Sequence, residues 1–134
     1  MIKTLLTLII STSLTGCVLL DAYLMTKYDP NEYKLITDIR SQAHRYKDDC
    51  PNNDQSKNNA KVIAVQTELF MMYSEHIPRN KDVQSASKEL NEIAKELAER
   101  YNKAPVSVIF CKLKFDNIEN SAKRMQSIIG SRPR

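Results

Sequence analysis

The side chains here that could do covalent, metal or acid–base chemistry are three cysteines, two histidines and one run of adjacent carboxylates, Asp48-Asp49. His44 lies within about one turn of Arg40, Arg45 and Asp48, a pattern that reads as a charged, solvated face rather than a proton-transfer site. His76 follows Glu75 and precedes Pro78, which suits a partner for the negative end of a helix. Neighbouring helical residues point about 100° apart, so Asp48 and Asp49 do not converge on one substrate. Neither histidine has ligand-like spacing with a cysteine, and no nucleophile elbow, zinc helix or calcium loop is present. The sequence therefore predicts no catalytic residue, no metal and no enzyme.

Cys17 invites a different chemistry. Before it stand a short positive start, Met1-Ile2-Lys3, then the apolar run Leu5-Leu6-Thr7-Leu8-Ile9-Ile10, then small residues. That order is the signature of a secretory signal peptide. Its last residues, Leu14-Thr15-Gly16-Cys17, resemble the bacterial lipobox. The resemblance implies cleavage after Gly16, with residues 1–16 removed and fatty acids attached to Cys17. The competing reading is an uncleaved span over Thr4–Leu20, just long enough to cross a bilayer, which leaves the Leu-Thr-Gly-Cys order unexplained. Several acyl chains anchor a protein stably where one does so only marginally. Val18 and Leu19 follow in place of the aspartate that commonly marks inner-membrane retention. The implied location is the outer membrane, lipid-anchored and facing the periplasm. The covalent lipid on Cys17 is the one non-protein group expected, and the bilayer its first partner.

Removal of residues 1–16 leaves 118 of the 134 residues and takes away Lys3 alone among the charged ones, so 19 basic residues face 16 acidic ones, a net charge of +3. Export excludes nucleic acid as a partner, so this weak charge favours at most an anionic surface or an acidic protein. With Gly130 the one glycine left, there is no phosphate-cradling loop and little scope for tight hairpins. Cys50 and Cys111 remain as a single pair in an oxidising compartment, where a disulfide is the expected outcome.

The elements that would carry these residues are helical. Residues 17–29 read as an acylated tether, 30–130 as the folded domain and 131–134 as a basic tail. Asp29-Pro30-Asn31-Glu32 offers a cap, a proline at the first position and a glutamate three residues after the cap. Ile36, Ile39, Ala43, Tyr46 and Cys50 then share one helical face, and Pro51 ends the run. A second helix is expected over Lys57–Ile77, capped by Asp54 or Ser56, and its apolar set is wide. Val62, Val65, Leu69 and Met72 form one stripe; Ile63, Phe70, Tyr73 and Ile77 form the adjoining one. The third opens near Asn80 or Asp82 and carries Val83, Ala86, Leu90, Ile93 and Leu97 up to Ala104-Pro105. The fourth carries Val108, Cys111, Phe115, Ile118, Ala122, Met125 and Ile129, with Gly130 as its left-handed terminator.

Four such helices with short connections predict an all-α, up-down-up-down four-helix bundle. In that topology the first helix ends at the pole where the fourth begins, so a Cys50–Cys111 bridge is geometrically natural. It would contribute roughly 3–4 kcal/mol by closing the loop between them. The wide apolar face of the second helix is explained by burial between two neighbours. A sharper reading makes it one wall of a groove for a partner helix, with Ile63, Phe70, Met71, Met72 and Tyr73 as anchors and Ile109, Phe110 and Leu113 as the facing wall.

The lipobox, the helical domain and the two cysteines together resemble the pilotins of type II secretion systems. The stretch Arg45-Tyr46-Lys47-Asp48-Asp49-Cys50 with its Asn-rich loop is similar to that family's first-cysteine region, and Cys111 matches the second. The resemblance implies binding of an amphipathic C-terminal helix of a secretin subunit and its delivery to the outer membrane. The alternatives are a phage- or plasmid-encoded lipoprotein that blocks a receptor or an incoming machine, and a structural envelope lipoprotein.

Overall fold

The computed structural model describes residues 25–134, so the signal segment and Cys17 lie outside it. Four helices follow one another: α1 Pro30–Tyr46, α2 Asn53–Glu75, α3 Lys81–Lys103 and α4 Val108–Gly130. No strand occurs among the described residues. Each helix packs on the two beside it, α1 and α3 on α2 and on α4, which leaves α2 diagonal to α4. This is the expected up-down-up-down bundle.

The local signals act largely as the sequence dictates. Asp29 caps α1, its Oδ1 accepting from the Asn31 and Glu32 N–H groups, with Pro30 at the first position. Ser107 caps α4 by accepting from the Phe110 N–H. Several details differ. Helix α1 stops at Tyr46, and the chain continues in tighter turns in which the N–H groups of Asp48, Asp49 and Cys50 each reach back three residues. Helix α2 starts earlier than expected, capped by Asn52 rather than by Asp54 or Ser56. The Ser56 hydroxyl is buried and lies within hydrogen-bond distance of the carbonyls of Asp49 and Asn52. Gly130 ends α4 without a positive φ. Its Cα faces Tyr33, where an added Cβ would approach Cε2 at 3.0 Å, so close packing rather than backbone conformation favours glycine there.

The core runs along the bundle axis through Ile36, Ile39, Ile63, Phe70, Leu90, Leu97, Phe115, Ile118 and Ile129, all essentially solvent-free. At one end Cys50 and Cys111 are joined, with Cα atoms 5.8 Å apart, inside the range a disulfide can span. Beside that bridge Asn53 accepts from the Val106 N–H at 3.1 Å, tying the start of α2 to the approach to α4. At the opposite end Glu32 is fully buried. It forms no capping box; Arg132 and Asn80 hold its two carboxylate oxygens at 2.6 Å each. The segment expected as a basic tail is thus folded back on the bundle, with the Pro133 carbonyl accepting from the Tyr28 N–H.

Candidate functional site

Six of the buried positions of α2 follow the repeat Ser56, Ala60, Ile63, Thr67, Phe70, Ser74, spaced 4, 3, 4, 3, 4. This face, small and polar as much as apolar, is the one that meets the core. Thr67 shares a buried contact with Asn91 of α3 at 3.1 Å, and the Asn91 amide reaches the Met71 sulfur at 3.7 Å. Ile63 and Phe70 are therefore core residues with no exposed surface, and they are not available to a partner as proposed from sequence. Met71 and Tyr73 are half-buried; the Tyr73 hydroxyl donates to the Asp29 carboxylate at 3.2 Å.

The other stripe of α2 looks outward. Val65, Leu69 and Met72 are 66%, 54% and 55% exposed and follow at spacings of four and three, which places them in one row opposite the core face. Beside this row a shallow groove of about 380 Å³ runs between α2 and α3, floored by Ala64, Val65 and Ala98 and edged by Lys61, Glu68, Lys95 and Glu99. Glu68 and Lys95 face each other across it at 3.6 Å.

On α4, Ile109 and Leu113 are 82% and 54% exposed. Phe110 is half-covered between the Arg100 guanidinium and the Lys114 ammonium, 5.3 and 5.4 Å from its ring centroid. These residues do not form a wall facing the α2 row. Helices α2 and α4 are diagonal, so their outward faces look away from each other, and these two sets of residues are separate apolar patches instead of the walls of one groove.

Titratable groups converge once on the seam between α1 and α4. Lys47 Nζ donates to Asp116 and Glu119 at 2.7 Å each, and His44 Nδ1 lies 3.1 Å from the other Glu119 oxygen. The Lys47 ammonium holds the Glu119 carboxyl below the ordinary carboxylate range. Hydrogen bonds to Asp116 and then Glu119 raise Lys47 above its own. Lys47 and Glu119 thereby lock each other in their charged forms, an arrangement suited to strapping two helices together. Among the described residues no group of three or more His, Cys, Asp or Glu side chains is placed to hold a metal ion. None of the described helices is long and apolar enough to cross a membrane.

Comparison with protein-family models, with curated proteins and with solved structures finds no match to this chain.

Proposed function

We propose that the protein is a lipid-anchored, protein-binding module of the bacterial envelope, pilotin-like in action, which takes an amphipathic helix of an outer-membrane secretin subunit on the outer face of α2. The observation that carries this reading is the row Val65, Leu69, Met72: three large apolar side chains more than half exposed, on a bundle whose core is filled without them. Exposed apolar rows at helical spacing suit a partner helix laid alongside, and methionine adapts to imperfectly matched surfaces. The Leu14-Thr15-Gly16-Cys17 sequence supports acyl anchoring, and the Cys50–Cys111 bridge fits an oxidising compartment.

The second patch, Ile109 and Leu113, lends a specific footing to the structural alternative. Two unlike apolar patches on opposite sides of one molecule suit head-to-tail association of copies.

The test is recovery of partners from detergent-solubilised envelopes with the native acylated protein, a Leu69→Asp variant and a Cys17→Ala variant. A secretin recovered by the native protein, lost with Leu69→Asp and mislocalised in cells carrying Cys17→Ala, is the expected result. Recovery undiminished by Leu69→Asp would refute the docking face. A phage receptor or conjugation component in place of the secretin would favour exclusion.

A further inference from the structure

The end of the bundle where the described chain begins is stitched from segments far apart in sequence. Thr26 Oγ1 donates to the Arg79 carbonyl at 2.5 Å, and the Tyr28 N–H donates to Pro133 at 2.9 Å. The Arg134 guanidinium sits 5.3 Å from the Tyr28 ring centroid. Arg132 and Asn80 close on Glu32 and on each other, all at 2.6 Å. Arg79 holds a left-handed φ of 61°, which costs a side-chain-bearing residue energy that its surroundings must offset. The chain is thus fixed to the bundle from Thr26 onward, and any pull or orientation imposed upstream passes directly to the four helices.

Seven residues, 18–24, separate Cys17 from Met25. Fully extended, that stretch reaches at most roughly 28 Å, while the 23 residues of α4 rise about 35 Å along the bundle. An acyl anchor on Cys17 would therefore keep this end within headgroup reach, with no comparable restraint at the disulfide end. The surface shown there is apolar and basic. Met25 and Ile128 are about half exposed and line one recess together with Arg132. Lys27, Lys81 and Arg134 are exposed around it. Of the nearby acids, Glu32 is paired with Arg132 and Glu75 lies 3.6 Å from Lys88, which leaves Asp82 and Asp29, the latter held by neutral donors of α1 and Tyr73, against these cations.

We propose that this end is a landing surface for an anionic lipid bilayer, with Met25 and Ile128 entering the headgroup layer and Lys27, Lys81 and Arg134 facing lipid phosphates. The inference rests on the acylation of Cys17 proposed above and goes beyond it. It gives the anchored bundle a fixed stance, the landing end down and the α2 row running up the side of the bundle, with Met72 nearest the membrane and Val65 farthest from it. Anionic headgroups attract basic groups within about a Debye length, so the stance depends on lipid charge and on salt.

The experiment uses the native acylated chain on vesicles of phosphatidylcholine, with and without phosphatidylglycerol, and reads lysine acetylation rates by mass spectrometry. Lys27 and Lys81 are expected to react several-fold more slowly on the anionic vesicles, in a salt-reversible way. Lys57 and Lys103, at the disulfide end, are expected to keep their rates. A Met25→Ser/Ile128→Ser variant, altered only at exposed positions, is expected to lose part of that protection. Equal rates at Lys27 and Lys81 on both vesicles, or equal slowing of all four lysines, would overturn the landing surface while leaving the anchor intact. A chain that stays on neither vesicle would overturn the anchor and the landing surface together.

Discussion

Arg132 Nη1 and Glu32 Oε2 lie 2.6 Å apart although 100 residues separate them, with side chains 7% and 0% exposed. The pair is costly to desolvate, and its geometry offsets that cost only because Asn80 binds both partners at 2.6 Å. Removing one partner is therefore worse than removing both. Arg132→Met leaves a buried carboxylate and is expected to cost about 3–5 kcal/mol. Glu32→Gln/Arg132→Met is expected to cost less than Arg132→Met alone. Urea unfolding of the native, single and double variants checks the order, and a double variant that loses as much as Arg132→Met or more would contradict it.

The disulfide closes the bundle's other end across a sequence separation of 61 residues. Loop entropy for that length corresponds to about 4 kcal/mol, so reduction or Cys111→Ser is expected to lower Tm by roughly 15–25 °C. Thermal melts followed by circular dichroism, with and without reductant, read this directly.

Leu69 and Phe70 are neighbours in sequence and opposites in environment, 54% and 0% exposed. Phe70→Ala empties part of the core and is expected to destabilise by about 3–5 kcal/mol. Leu69→Gln is expected to change stability by no more than about 0.5 kcal/mol while weakening partner binding. Similar stability losses from both would contradict the assignment of the two faces.

That contrast also shows where the sequence stopped being legible. Both stripes of α2 could be read from their spacing, but which one faces inward could not. Counting apolar residues favours neither, because the inward face carries Ser56, Thr67 and Ser74 beside Ile63 and Phe70. The signal that distinguishes it is the unbroken 4, 3, 4, 3, 4 repeat in which the small residues Ser56, Ala60, Thr67 and Ser74 are interleaved with Ile63 and Phe70, small side chains letting a neighbouring helix approach closely. Bundle, disulfide and the caps at Asp29 and Ser107 follow from local rules, and all but the Ser107 cap are legible. The Glu32–Arg132–Asn80 cluster was not legible, because Glu32 fits the local pattern of a capping box and only the folded-back chain end reveals its partner.

Acid should loosen the α1–α4 strap. Glu119 is held below the usual carboxylate range by Lys47, so its share of stability is complete above the unfolded value near pH 4.3 and is lost as pH falls through the lower folded value. Lys47 is raised, so its share is complete below the unfolded value near pH 10.4 and is lost as pH rises through the higher folded one. The stability difference between the native chain and Lys47→Met is thus expected to be flat through neutrality and to shrink at both extremes. Denaturant midpoints from pH 3 to 11 test this, and a difference that grows on acidification would contradict it.

The central claim is that the outer face of α2 holds a secretin helix. Its most direct measurement is photo-crosslinking in intact cells from a reactive residue placed at position 69, with position 113 on α4 as the control. The account predicts a discrete adduct with a secretin from position 69 and none from position 113. An adduct from position 113 alone, or none from either, would contradict it.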